Sequence, residues 1–148
     1  MTIIFDLDGT LALIDKRRAK ADKGNGKIDW KVFFDPENIQ LDEPNKPVIK
    51  TFQTMKSAGF NVGIFSGRDS ISSKETEAWL HQNGIWSDFI KMRPQGTFTP
   101  DDVLKKGWLD ELIEEGHEIM CVYDDRDKVV KMWRDNGISC FQVAPGDF

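Results

Sequence analysis

The sequence predicts an α/β protein built on a mostly parallel sheet with helices on both faces. Three observations carry that prediction. Short apolar runs alternate with stretches of helical apolar spacing over most of the chain. Three of those runs end in polar residues, at Asp6-Leu7-Asp8, Ser66-Gly67-Arg68 and Asp124-Asp125, and carboxyl ends of parallel strands are where such sheets place their sites. The length of 148 residues allows one domain, 1–148, with at most a small insert.

The elements follow in order. Thr2-Ile3-Ile4-Phe5 reads as a buried strand running into DLDGTLA. Residues 15–47 read as a long irregular insert, a substrate or cap loop, because such a stretch in a small domain needs a binding role. Its first part carries six Lys/Arg against two Asp between Asp15 and Lys27. Phe33 and Phe34 are expected to tuck back onto the body, and DPENIQLDEPNKP is turn-rich. Val48, Ile49, Phe52 and Met55 mark a helix face that Gly59 ends. Asn61–Phe65 reads as a strand, and a helix follows from Ile71 to Asn83 with Ala78, Trp79 and Leu80 inward. Phe89–Met92 is a short strand. Thr99-Pro100-Asp101-Asp102 resembles a helix start, with Thr99 as cap and Pro100 at the first helical position. That helix passes Leu104, Trp108 and Leu112. Ile119–Tyr123, a helix over Lys128–Asn136 and a strand over Ile138–Val143 complete the pattern.

Charge and composition bound the function. With 20 Lys+Arg against 25 Asp+Glu the formal net charge is −5, which excludes a protein that coats nucleic acid through many basic contacts. An enzyme gripping one phosphorylated end remains compatible with it. Cys121 and Cys140 are too few for a disulfide framework and each lies in an apolar run, so buried free thiols and a reducing cytoplasm are expected. No apolar stretch is long enough to span a bilayer, and Asp6 and Asp8 interrupt the first one, so neither a membrane segment nor a signal peptide is expected.

Four signals carry chemistry. Asp6 and Asp8, two apart after a strand, point the same way, and Gly9 lets the chain turn. Such a pair holds a divalent cation, with one carboxylate as nucleophile and the other moving a proton. Ser66 and the backbone N–H groups around Gly67 suit a phosphoryl oxygen, and Arg68 can fork onto phosphate. Lys105 and Lys106 adjoin, so only one of them faces a carboxylate cluster; spacing does not choose between them. Asp124 and Asp125 side by side call for a cation or hydrogen bonds. Together these form a metal-assisted phosphate site. Of the tryptophans, Trp79, Trp108 and Trp133 have core spacing, whereas Trp30 alone sits in the candidate substrate loop, where it is placed to stack on a base or sugar.

The ordered set resembles the haloacid dehalogenase-like (HAD) phosphohydrolase superfamily, whose fold is Rossmann-like. DLDGTLA with Arg17, SGR, RPQGTFTPDDVLKK and DDRDKVVKMWRDNGISCFQVAPGDF are more specifically similar to the 3′-phosphatase domain of phage-type polynucleotide kinases. The resemblance implies a HAD-like fold with a minimal cap and Mg²⁺-dependent removal of a 3′-phosphate from DNA or RNA. By it, Asp6 is the nucleophile that forms an aspartyl-phosphate. Asp8 is the acid and base, touching the metal through its carbonyl. Ser66, Gly67 and Arg68 bind phosphate, and Lys105 is the motif lysine. Asp125 is the direct metal ligand with Asp124 in support. Arg17, and more weakly Arg93, lie near substrate. No GxxxxGK[ST] occurs, so kinase activity is not expected from this chain, and a separate kinase or ligase partner is implied. Two alternatives stay open: a nucleotidase acting on mononucleotides or other small phosphomonoesters, and a non-catalytic binding domain on the same fold. Residues 15–47 either cover substrate or pack on a second subunit of a homo-oligomer.

Overall fold

A computed structural model describes residues 1–148. In chain order it contains β1 (Thr2–Phe5), β2 (Ala12–Leu13), α1 (Asp15–Ala21), α2 (Trp30–Phe33), a 3₁₀ helix (Pro36–Leu41), β3 (Glu43–Pro44) and α3 (Lys46–Ser57). Then come β4 (Asn61–Asp69), a 3₁₀ turn (Ser70–Ser72), α4 (Ser73–Gln82), β5 (Phe89–Arg93), α5 (Asp101–Glu114), β6 (Ile119–Asp124), α6 (Asp127–Asp135) and β7 (Cys140–Gln142). The main sheet has the order β5-β4-β1-β6-β7, and every pairing in it is parallel. This is the architecture the apolar periodicity predicts.

β1 lies at the centre, and all four of its side chains are buried, as expected of a strand covered on both faces. Alternation divides them. Ile3 and Phe5 join Ile49, Phe52, Val62, Ile64 and Trp79 under α3 and α4, while Ile4 joins Phe65, Trp108, Leu109, Val122, Val130 and Trp133 under α5 and α6. Chain order reverses direction across β1, which creates a switch point beside its carboxyl end. The two cysteines are buried and unpaired, one in each of these clusters. No helix is long and apolar enough to cross a membrane.

The structure differs from the sequence reading in several places. Residues 15–47 are not irregular: they fold into α1, α2, the 3₁₀ helix and β3. These pieces are too short to display an apolar period, and two of them start on side-chain caps, Asp29 accepting from Lys31 N and Val32 N, and Asp35 from Glu37 N. The neck of the insert is closed by β2–β3 pairing and by Asn45, whose backbone N–H donates to Leu11 O and whose side chain donates to Thr10 O. Ser66-Gly67-Arg68 continues β4, with an irregular register between Ser66 and Asp69, rather than forming a turn beyond it. On α4, Thr76 is buried with Trp79 and Leu80, and Ala78 is exposed. At α5 the cap is Pro100, without a side-chain hydrogen bond; Thr99 supplies only its carbonyl, to Arg93.

Two glycines give opposite expectations. A Cβ at Gly63 in β4 would lie 2.1 Å from ring atoms of Phe89, whereas one at Gly107 on α5 meets nothing within 4 Å. Gly63→Ala is expected to cost about 1–3 kcal/mol through overpacking, and Gly107→Ala to stabilise by about 0.5–1 kcal/mol through helix propensity. Thermal denaturation of the two variants checks both signs.

Candidate active site

The site is assembled where β1 and β6 end and α5 passes over them. The backbone N–H of Asp6 still pairs with Tyr123 O at 2.9 Å, which carries Asp6 out at the level of β6. The chain then doubles back through Gly9, at φ +83°, with Gly9 N donating to Ala12 O at 2.8 Å. A Cβ on Gly9 would sit 2.1 Å from Asp125 Oδ2, so glycine is required both for the turn and for Asp125 to close over it.

Lys105 Nζ donates to Asp6 Oδ1 at 2.7 Å and to Asp124 Oδ2 at 3.0 Å, fully within the protein. Lys106 faces outward and pairs with Asp110. Thr10 Oγ1 lies 3.1 Å from Asp6 Oδ2 and 3.2 Å from Asp125 Oδ1, sharing its single proton between them. Carboxylate oxygens of Asp6, Asp124 and Asp125 all lie within 4.8 Å of one another, and all three residues are buried. Asp124 is saturated: Trp133 Nε1 joins Lys105 on Oδ2, and the N–H of Asp125 donates to Oδ1 at 2.8 Å. The Asp125 carboxylate accepts from the Thr10 hydroxyl.

This cluster holds three carboxylates against one ammonium. Burial, then the neighbouring Asp124 and Asp125 outweighing Lys105, pushes the Asp6 carboxyl well above its ordinary range. Burial also raises Asp125. Lys105 is raised as well, because Asp124 and Asp6 outweigh the cost of its burial. Hard oxygen donors with unbalanced negative charge fit a divalent cation, and Asp6 and Asp125, the less saturated acids, are the ones able to hold it.

A second buried cluster lies beside the first and is balanced. Asp8 Oδ1 accepts from Arg17 Nη2 at 2.8 Å and from Arg68 Nε and Nη2 at 2.8 and 2.6 Å. Behind it Asp42 takes Arg17 Nε and Nη2, both at 3.0 Å, and Arg68 Nη2 at 2.6 Å. Thr76 Oγ1 and the Phe33 carbonyl accept from the remaining faces of Arg68 and Arg17. Burial works against ionisation of Asp8, but the Arg68 and Arg17 guanidiniums overcome it and hold the carboxyl below its usual range. The sequence reading placed Arg68 on the phosphate and Arg17 near substrate. In the structure both are enclosed, and Arg17 has no exposed side-chain surface, because two buried carboxylates claim their donors. Asp42, which completes the cluster, was missed: 25 residues from Arg17 in the chain, it sits in a turn-rich stretch with no local pattern.

Ser66 is buried and its Oγ accepts from Arg68 N at 3.1 Å. A Cβ at Gly67 would lie 2.6 Å from Asp101 Oδ1, so a side chain there would displace the Asp101 carboxylate. Arg93 braces that stretch of β4, donating to Gly67 O at 2.9 Å and pairing with Asp101 at 2.6 Å, so it reaches the site through the backbone of residue 67. Asp101 also pairs with Arg126 at 2.9 Å. Arg126 and Arg18 lie over the Phe148 ring, 5.5 and 5.1 Å from its centroid. The closing QVAPGDF segment supports Asp125 from below. Gln142 Nε2 donates to Asp125 O at 3.0 Å, and a Cβ on Gly146 would lie 2.0 Å from the same oxygen.

The two clusters give opposite stability expectations. Folding raises the Asp6 and Asp125 pKa, so in the metal-free protein their contribution weakens as pH rises above the ordinary carboxylate range. Asp125→Asn relieves that repulsion. We expect it to raise the metal-free thermal midpoint at neutral pH by a few degrees and to make the midpoint less responsive than that of the native protein to an added divalent cation. Asp42→Ala instead strands two buried guanidiniums and is expected to cost about 3–5 kcal/mol, roughly 10 °C in midpoint. Calorimetry with and without chelator checks both.

Comparison with known proteins agrees with this geometry. The family model described as the polynucleotide kinase PNKP phosphatase domain matches residues 1–148. A protein of Autographa californica nuclear polyhedrosis virus, named as a bifunctional polynucleotide kinase/RNA ligase, is 29% identical over 136 residues, covering 90% of this chain and 18% of its own length. Among solved structures, a chain of the Pnkp1/Rnl/Hen1 RNA repair complex superposes with a TM-score of 0.83 at 32% identity, over 99% of this chain and 43% of that one. The class C acid phosphatase from Bacillus anthracis shares the fold, with a TM-score of 0.67 at 17% identity over 99% of this chain and 66% of that one. The chain thus spans less than half the length of the viral protein and of the repair-complex chain. It belongs to the polynucleotide kinase PNKP phosphatase domain family and is a hydrolase of the HAD type.

Proposed function

We propose that this domain is a Mg²⁺-dependent polynucleotide 3′-phosphatase acting on 3′-phosphorylated DNA or RNA ends. The observation that carries the reading is the pairing of two clusters on one turn. Asp6 is held by Lys105 in a site short of positive charge, and Asp8, two residues on, is held by two arginines. In this reading Asp6 attacks phosphorus, the P–O3′ bond breaks, and the Asp8 carboxyl gives its proton to the leaving oxygen. Water then attacks the aspartyl-phosphate, losing its proton to Asp8, and phosphate leaves with the Asp6 carboxylate restored. Asp6, Asp125 and the Asp8 carbonyl would hold a divalent cation, which would supply positive charge to offset the carboxylates and the phosphoryl group. Ser66 and the Gly67 backbone receive phosphoryl oxygens, while Lys105 and Asp124 support the nucleophile. Arg17, Arg68 and Arg93 are positioning residues, the first two acting on Asp8.

Residues 15–47 are proposed as a substrate cover inserted in a single domain. Names of the relatives that mention kinase, ligase and RNA repair favour a partnership with end-processing enzymes. The two buried free thiols favour a reducing cytoplasm.

A panel of 3′-phosphorylated oligonucleotides against nucleoside 3′- and 5′-monophosphates tests the substrate. Phosphate release from the oligonucleotide at least about tenfold more efficient than from any mononucleotide is expected; the reverse order makes the domain a nucleotidase. Asp6→Asn should remove turnover while leaving the thermal midpoint at or above native. Because Asp8 is held ionised, its acid form is scarce at neutral pH. Once Asp6 is ionised, the rate of phosphoenzyme formation in a rapid-quench experiment should therefore fall as pH rises further, by up to about tenfold per unit.

A further inference from the structure

α2 is a single turn, capped by Asp29 and anchored by its last residue. Phe33 points inward, its ring 4.5 Å below the Arg17 guanidinium and its carbonyl accepting from Arg17 Nη1 at 3.3 Å. Trp30, at the other end of the turn, stands edge-on to Phe33 at 5.5 Å and stacks on Phe34 at 5.6 Å and 22°. The indole is 57% exposed. A flat aromatic face is thus held rigidly toward solvent, and the chain of contact from it runs Trp30, Phe33, Arg17, Asp8.

The segment that carries Trp30 is rich in cations. Arg18, Lys20, Lys23, Lys27 and Lys31 have no carboxylate within ion-pair distance, whereas Lys16 pairs with Glu43. An exposed indole alone is unremarkable on a protein surface. An indole fixed by two phenylalanines and flanked by unpaired cations matches a ligand with both an aromatic face and phosphates. Trp86, equally exposed, lies before β5 at the opposite end of the sheet and is stacked on His81 at 3.8 Å.

We infer that Trp30 is a stacking platform for a base of the 3′-phosphorylated strand, at or beside the terminal nucleotide. This rests on the 3′-phosphatase reading and adds how a polynucleotide end is told from a small phosphate ester. The anchoring through Phe33 also means that a base bound there seats against the helix turn that holds Arg17 on Asp8.

Steady-state kinetics on a 3′-phosphorylated oligonucleotide and on p-nitrophenyl phosphate test it, with the native protein, Trp30→Ala, Trp30→Phe and Trp86→Ala. In Trp30→Ala the ratio of kcat/KM for oligonucleotide to that for p-nitrophenyl phosphate should fall about tenfold or more, carried mainly by KM. Trp30→Phe should recover most of it, and Trp86→Ala should leave both substrates at native values. An unchanged ratio in Trp30→Ala overturns the platform, including the case where both substrates decline together. A native protein that hydrolyses p-nitrophenyl phosphate but no 3′-phosphorylated oligonucleotide overturns the 3′-phosphatase reading itself. If oligonucleotide turnover is native in Trp30→Ala while an acidic protein partner loses binding to it, the face is a protein-docking surface and the inference fails.

Discussion

Burying Asp6, Asp124 and Asp125 around one lysine is the constraint on which the site depends. Like charges at this separation repel strongly once water is removed, so the protein must both hold them and leave the deficit uncorrected. It holds them by position. Asp6 is carried out by the central strand, Asp124 and Asp125 by its neighbour, and Lys105 arrives from a helix packed through Trp108 and Leu109 on the same sheet face. Gly9 and Gly146 then admit the Asp125 side chain from above and its carbonyl from below. Much of the architecture around β1 and β6 follows from that one crowded volume.

The neighbouring cluster shows the opposite solution. Two arginines and two aspartates, Arg17, Arg68, Asp8 and Asp42, are nearly all enclosed and mutually satisfied. Such networks favour a defined geometry more than they add net stability. Here the geometry concerns Asp8, whose side chain alone among the four keeps 24% of its surface open. The insert 15–47 supplies two of the four members and closes its own neck at β2–β3. It is therefore part of the frame that orients Asp8, and changes within it reach the site without touching a ligand.

What the sequence revealed and what it concealed divide along the same line. The succession of strands and helices, the carboxylates after β1 and β6, and the choice of core for Trp79, Trp108 and Trp133 were legible, because they rest on local periodicity and on residues adjacent in the chain. Spacing alone left Lys105 and Lys106 equivalent; only the helix face presented to Asp6 separates them. Arg17 and Arg68 were recognisable as important, yet their partners were not. Asp42 lies far from both in sequence, in short helices whose caps and turns carry no apolar period. Long-range charge pairing leaves no local pattern, so the sequence shows the arginines without the carboxylates that hold them.

The acidic balance of the whole chain acquires a sharper meaning from this. A polyanion approaching a protein of net charge −5 meets an unfavourable overall field. Yet a divalent cation at Asp6, Asp124 and Asp125 would offset two charges of that excess within the carboxylate cluster. Among the positive side chains, Arg18, Lys20, Lys23, Lys27 and Lys31 lie in one short segment and pair with no carboxylate, whereas Arg17 of the same segment is buried on Asp8. Screening at physiological salt confines each contribution to about 8 Å, so the local distribution governs approach and the net value matters little. The net charge is therefore a poor guide to what such a site admits, because five unpaired cations lie in one short segment while the two buried clusters each keep a separate balance of their own.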